Sequence, residues 1–264
     1  MIPAEIRPQL DAVVGGLGRI LGDDLAGVYL HGSAVLGAFG PHSDIDVFAV
    51  VQRPLDPSTK RQLAELMLAE SGAYEGTGGT RAVELDIVLT SALHDWHHPA
   101  PLEFHYSESL RPRFGAGELE PWDSLTNRDI AAHVRGLRHA GLALVGAAPE
   151  ELFPDVPEAD FRDALLYDVE WSREHIFELS ATPGGIRNAV LSFARVWAAF
   201  DTGEPQSKAS GAEWALPRLP AELRPVLEHA EAAYRNSAAE RWEGLPLADY
   251  TAFVATKIES LTQR

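Results

Sequence analysis

The first part of the chain alternates short apolar runs with amphipathic stretches. The runs at 28–30, 45–51 and 82–89 are rich in strand-forming residues and are typical of buried strands. Residues 5–21 and 57–71 instead carry apolar side chains at helical spacing, and the second stretch begins at an Asp-Pro pair that favours a helix start. This order of strands and helices predicts an α/β domain.

The second part of the chain has helical periodicity almost throughout, from Asp123 onward. One helix is predicted to carry four apolar residues, Ile130, Val134, Leu137 and Leu144. Further helices are predicted at 186–200, 221–235 and 246–262. We therefore expect one domain at 1–120 and an all-helical domain at 121–264.

Composition narrows the class of protein. The 264 residues carry a formal net charge of −17 and no cysteine. So acidic a chain argues against nucleic-acid binding and suits a small, polar, cationic substrate, although solubility alone would account for the acidic surface. There is no apolar run of 18 residues and no signal-like start, so we expect a cytoplasmic protein without a membrane span. We also expect a monomer.

The candidate chemistry lies around the first two predicted strands. Gly32 and Ser33 end the first strand, and Asp44 and Asp46 stand at the start of the second. Side chains at i and i+2 of a strand point to one face, so both carboxylates can bind one divalent ion, or a pair of ions. Oxygen ligands favour magnesium or manganese. Gly32 lets backbone amides approach a phosphate, and Ser33 adds a hydroxyl donor.

The third predicted strand carries two more acids on one face, Glu84 and Asp86. Two carboxylates on an otherwise apolar strand are costly without a cation, which favours a functional role for the pair.

The segment His31-Gly32-Ser33 through Asp44-Ile45-Asp46 resembles the nucleotidyltransferase signature, Gly-Ser followed by Asp-x-Asp. The sequence of this segment most resembles that of the aminoglycoside nucleotidyltransferases, specifically the streptomycin/spectinomycin (3'')(9) adenylyltransferases. The resemblance covers nearly the whole chain and is strongest at 28–51 and 186–216. It implies an N-terminal, polymerase-beta-like nucleotidyltransferase domain with a mixed sheet, followed by a C-terminal helical bundle.

The resemblance also implies a reaction and its residues. AMP would pass from ATP to a hydroxyl of an aminoglycoside-type antibiotic, and pyrophosphate would leave. Glu84 corresponds to the general base, while Asp44 and Asp46 would bind Mg²⁺. Asp86 is either a third metal ligand or a residue behind the ligands. The predicted contacts to ATP are Gly32, Ser33, Ser43, Arg195, Lys208 and Tyr234.

Two departures from the family pattern bear on the acceptor. Ser109 stands where streptomycin-acting members carry an aromatic residue, so spectinomycin is favoured. Gly185 stands where aminoglycoside-binding members carry an acid, which Glu174 or Glu178 could supply instead. Three alternatives stay open: the same chemistry on another small molecule or a protein side chain, a non-catalytic nucleotide-binding module, and a metal-dependent phosphohydrolase. The presence of all the expected acids argues against the non-catalytic module.

Overall fold

The computed structural model describes residues 2–73, 79–119, 126–175, 184–236 and 240–262. The chain forms two compact units. The first comprises Met1–Phe39 and Ser43–Asp160, and the second comprises Gly40–His42 and Phe161–Arg264. The division expected between 120 and 121 lies in 120–125, outside the described residues, and stays a prediction.

A five-stranded mixed sheet forms the framework of the first unit. The strands are, in chain order, β1 (Leu25–Leu30), β2 (Ile45–Val51), β3 (Val83–Leu89), β4 (Ala100–Pro101), β5 (Phe104–Tyr106), β6 (Thr126–Asn127) and β7 (Leu142–Val145). The large sheet has the order β5-β3-β2-β1-β7, and β4 pairs with β6. Within the large sheet β2 and β3 are parallel, whereas the other neighbours are antiparallel. The three predicted strands are thus confirmed.

Helices flank the sheet and make up most of the second unit. They are α1 (Arg7–Leu21), α2 (Pro57–Glu70), α3 (Thr90–His94), α4 (Arg111–Gly115), α5 (Ile130–Ala140), α6 (Pro149–Leu152), α7 (Glu158–His175), α8 (Gly185–Thr202), α9 (Lys208–Ala215), α10 (Arg224–Asn236) and α11 (Leu247–Thr262). The predicted helix start at Asp56 is confirmed, since its carboxylate accepts hydrogen bonds from two backbone amides of α2. Among the described residues, no helix is long and apolar enough to cross a membrane.

The alternation of side chains gives the sheet two different faces. On one face, Val47, Leu85 and the apolar residues that alternate with them join α1 and α2 in the buried core. The intervening positions of β2 and β3, which begin with Asp46 and Glu84, point to the opposite face. This core cluster therefore lies on one side of the sheet, and the acids lie on the other, where Phe48, Val50 and Val88 are also buried.

The segment that follows α5 differs from the sequence prediction. Leu144 was expected in a helix, but it lies in β7, which pairs with β1 at the sheet edge. Gly141 ends α5 because its backbone turns to an extended conformation, with ψ of 154°. The helical prediction for Leu144 is wrong because spacing alone does not reveal this break.

The helices of the second unit surround α8. Almost all of α8 is buried, and α9, α10 and α11 pack against it. Gly211 of α9 lies so close to α8 that a Cβ atom there would be 2.4 Å from the Cα atom of Arg195. The expected helical bundle is therefore present, and its closest packing depends on a residue without a side chain.

Candidate active site

The turn after β1 is built around the carboxylate of Asp46. The backbone amide of His31 donates a hydrogen bond of 3.0 Å to the carbonyl oxygen of Asp46. Gly32 has a φ of +64°, and a Cβ atom on it would lie 1.8 Å from Oδ2 of Asp46. Glycine is required here both for the backbone conformation and for the space that the carboxylate occupies.

The sheet register brings the predicted acids together. Asp46 of β2 lies opposite Glu84 of β3 in the parallel pair, so their side chains share the face away from the core. Neighbouring strands are about 4.8 Å apart, which leaves the two carboxylates close to each other. Asp44 precedes β2 by one residue and is half-buried, as are Asp46 and Glu84. All three side chains carry oxygen donors, the ligand type that magnesium prefers.

Asp86 lies deeper, with only 1% of its surface exposed. One of its oxygens is 2.8 Å from Nδ1 of His105, which is aligned with it on β5. The other oxygen is 2.9 Å from Nδ1 of His133 on α5. Both oxygens of Asp86 are thus already engaged by imidazoles. This arrangement favours the interpretation that Asp86 supports the metal ligands without binding the ion itself. Glu84, Asp86 and His133 nevertheless each have one possible ligand atom within 4.8 Å of those of the other two.

The pKa values of two histidines near Asp86, His133 and His31, are shifted in opposite directions. Burial opposes protonation of His133, but the hydrogen bond and charge of Asp86 outweigh it and raise the pKa of His133 to about 9. Burial also opposes ionisation of Asp86, yet the bonds from His105 and His133 hold the pKa of Asp86 well below its usual range. His31 is different, since burial, followed by repulsion from His133, lowers its pKa to about 3. The site therefore holds a neutral and a charged imidazole side by side.

The three histidines were not predicted from the sequence. The rings of His31 and His133 lie in tilted contact at a centroid distance of 5.1 Å, and His31 also packs edge-on against Phe48 at 6.2 Å. His105 follows Phe104 in β5, and the alternation along that strand could have assigned it to the face of Asp86. His133 gave no such signal, because its position depends on how α5 packs on the sheet.

The two predicted phosphate contacts Lys208 and Tyr234 lie together in the second unit. Nζ of Lys208 donates a 3.1 Å hydrogen bond to Oδ1 of Asn188 and lies 5.9 Å from the ring centroid of Tyr234. Arg187, which was not among the predicted contacts, places its guanidinium carbon 5.9 Å from the same centroid. Arg187 is 1% exposed and pairs with Glu240 at 2.8 Å. Two cations therefore flank one phenol ring.

The other predicted site residues range from buried to exposed. Arg195 is half-buried on α8 where α9 packs closely, Ser33 is half-buried, and Ser43 is buried. Ser109 is exposed in the short 3₁₀ turn Glu108–Leu110, whereas Gly185 is buried at the first position of α8. Glu178 and the side chain of Glu174 lie outside the described residues.

Comparison with known proteins identifies the family of each part of the chain. The family described as "Nucleotidyltransferase domain" matches residues 13–105. The family described as "Aminoglycoside adenylyltransferase, C-terminal domain" matches residues 151–259. The fold is similar to that of spectinomycin adenyltransferase AAD(9) from Enterococcus faecialis, crystallised with ATP and spectinomycin. The TM-score is 0.84 and the identity 24%, over 96% of this chain and 99% of the other.

Relatives with higher sequence identity cover most of the chain. It is 37% identical to the aminoglycoside (3'') (9) adenylyltransferase of Escherichia coli, over 90% of this chain and 88% of the relative. It is 34% identical to the spectinomycin 9-adenylyltransferase of Staphylococcus aureus, over 86% and 84%. These matches, together with a mixed-sheet nucleotidyltransferase domain and a helical C-terminal region, confirm the resemblance: the chain belongs to the aminoglycoside adenylyltransferase family.

Proposed function

We propose that this protein transfers AMP from ATP to a hydroxyl group of an aminoglycoside-type antibiotic and releases pyrophosphate. The observation that carries the proposal is the pairing of Asp46 with Glu84 on the sheet face above the Gly32 turn. Similarity to adenylyltransferases whose names include spectinomycin supports that drug as the acceptor.

Glu84 is the general base in this proposal. It is half-buried, so an acceptor hydroxyl can reach its carboxylate, whereas Asp86 is 1% exposed and already bonded to two imidazoles. A base must come within hydrogen-bond reach of the proton that it removes. Accessibility therefore differs between the two acids of β3, and it supports Glu84 as the residue that removes the proton.

Asp44 and Asp46, with Glu84 beside them, would hold magnesium. A bound magnesium ion supplies positive charge that offsets the charge of the triphosphate. Ser33 and Ser43 are proposed to donate hydrogen bonds to the nucleotide, with the backbone of Gly32 beside them. Lys208, together with Arg195 and Tyr234, is proposed to contact its phosphates, since cationic donors bind phosphate oxygens strongly.

A different hydroxyl acceptor is the second candidate function. One observation favours it: position 185, where aminoglycoside-binding relatives are expected to carry an acid, is a buried glycine at the start of α8. This alternative keeps the same residues for ATP and for proton removal and changes only the molecule that receives AMP.

The test is pyrophosphate release from ATP with magnesium, in the presence of spectinomycin, streptomycin or no acceptor. The wild type is compared with Glu84→Gln, and Glu65→Gln on the exposed side of α2 is the matched control. We expect release with spectinomycin that is lost in Glu84→Gln and kept in Glu65→Gln, with mass spectrometry showing one added AMP on the drug. Release with neither drug, while ATP still binds, would favour another acceptor.

A further inference from the structure

A hydrogen-bonded chain of three side chains runs behind the proposed general base. His105 on β5, Asp86 on β3 and His133 on α5 are joined by contacts of 2.8 and 2.9 Å, and each imidazole occupies a different oxygen of the carboxylate. The three residues come from three separate elements. The chain therefore fixes the position of α5 relative to the sheet at this point.

The ring of His133 is held from two directions. Its Nδ1 atom is bonded to Asp86, and one side of the ring packs on His31 at a centroid distance of 5.1 Å. His31 is itself 8% exposed and lies against Phe48. A ring with one polar bond and one packed side has little freedom to rotate, so His133 presents a defined edge to its surroundings.

Glu84 lies next to this fixed ring. Polar atoms of Glu84, Asp86 and His133 lie within 4.8 Å of one another. Glu84 therefore lies close to this ring and next to Asp46, its register partner on β2.

We propose that His133 is a positioning residue for Glu84: the His105–Asp86–His133 chain fixes an imidazole beside the Glu84 carboxylate and so sets the direction from which Glu84 meets the acceptor hydroxyl. The catalytic effect rests on the proposed adenylyl transfer, whereas the positioning itself concerns the folded protein alone. A buried polar network contributes geometric precision of this kind when every member is satisfied.

A metal site made of Glu84, Asp86 and His133 is the competing interpretation. An ion there would have to compete for an oxygen of Asp86, because the two oxygens already lie 2.8 and 2.9 Å from imidazole nitrogens. The intact hydrogen bond therefore favours positioning over metal binding.

The direct test needs no acceptor. Crystal structures of the wild type, His133→Asn and the control His139→Asn, which changes an exposed histidine of the same helix, are compared. We expect one conformer of Glu84 in the wild type and the control. In His133→Asn we expect the Glu84 carboxylate to move by about 1 Å or more, or to occupy several conformers, because the imidazole beside it is gone. A shift of that size is enough to lower the rate of catalysis. An unchanged Glu84 would overturn the proposal even if adenylyl transfer fails.

The kinetic test separates positioning from a structural role. His133→Asn should lower kcat about 100-fold and leave the KM values for ATP and spectinomycin within about twofold. In a Glu84→Gln background the same change should have no further effect, because there is no base left to position. An equal loss in both backgrounds would contradict the proposal. If His133→Asn does not fold, His105→Asn replaces it, because this change removes only the contact to Oδ1 of Asp86. It should lower kcat in the same pattern but by a smaller factor.

Calorimetry with Zn²⁺ and Mn²⁺ tests the metal interpretation. Each ion is titrated into wild type and His133→Asn without ATP. Stoichiometric binding that His133→Asn abolishes would overturn the proposal, because the three residues would then be ligands. Equal binding in both proteins, or none in either, agrees with positioning.

Discussion

Gly32→Ala is expected to separate the two reasons for glycine in the turn after β1. The new methyl group would lie 1.8 Å from Oδ2 of Asp46, and Cβ atoms essentially never approach another heavy atom closer than 3.0 Å. The carboxylate must therefore retreat by more than 1.2 Å, the difference between those distances, or the turn must open. The φ of +64° adds a strain of about 1–2 kcal/mol for any residue with a side chain.

Gly37→Ala is the matched control for this substitution. Gly37 has a nearly equal φ of +69°, but a Cβ atom there meets nothing within 4 Å. Gly37→Ala should therefore lose about 1–2 kcal/mol of unfolding free energy, because it places alanine in the left-handed region, and Gly32→Ala should lose at least as much, because the clash is added. Gly32→Ala alone should also lose about 100-fold in kcat, since a shift of about 1 Å in a reacting group has that effect.

The assay is pyrophosphate release at saturating ATP, magnesium and spectinomycin, with urea unfolding followed by circular dichroism on the same preparations. Equal kcat losses in the two variants would show that strain, and not displacement of Asp46, limits the enzyme. A Gly32→Ala variant with wild-type kcat would refute the link between the turn and the carboxylate.

Three further predictions concern separate parts of the molecule. Glu108→Gln should cost about 3 kcal/mol in urea unfolding, at the low end for a broken buried pair because its arginine partner is partly exposed, while kcat per folded molecule stays unchanged. Lys208→Ala should raise the KM for ATP about tenfold by removing a charge-assisted contact, whereas Lys257→Ala, an exposed lysine that also lies over an aromatic ring, should not. In metal-free protein, His133→Asn should lower the unfolding free energy most between about pH 4 and 6.5. Asp86 stabilises the fold above its ordinary pKa, and the contribution of the raised His133 pKa is lost as pH rises through about 9, so urea titrations at pH 5 and 10 should give a smaller difference at pH 10.

The acids were predictable because they follow local rules. Asp44 and Asp46 stand at the start of an apolar run, and Glu84 begins another, so alternation alone assigns each carboxylate to a face. The strand boundaries of β2 and β3 follow from the same runs. What alternation does not supply is the register, and only the structure pairs Asp46 with Glu84.

The histidine chain and the buried arginine could not be found in this way. His133 occupies an ordinary polar position on an amphipathic helix, and it becomes part of the site only because α5 packs on the sheet. Arg187 likewise resembles a solvated helical charge, and its burial is determined by the helices around α8. Leu144 shows the converse error, because helical spacing continued past a glycine that ends the helix. In each case the deciding interaction joins residues that are distant in sequence.

The alternation along β2 and β3 also has a consequence for folding. If β3 paired with β2 one residue out of step, Glu84 and Asp86 would turn toward the apolar layer that α1 and α2 cover. Unpaired carboxylates in such a layer cost several kcal/mol each, so the misaligned sheet would be strongly disfavoured. The carboxylates of Glu84 and Asp86 thereby also disfavour misaligned strand pairing while the chain folds. Apolar replacements of Glu84 and Asp86 would remove this penalty on the misaligned sheet. Such a variant is therefore expected to refold with a lower yield, even if its native state is more stable.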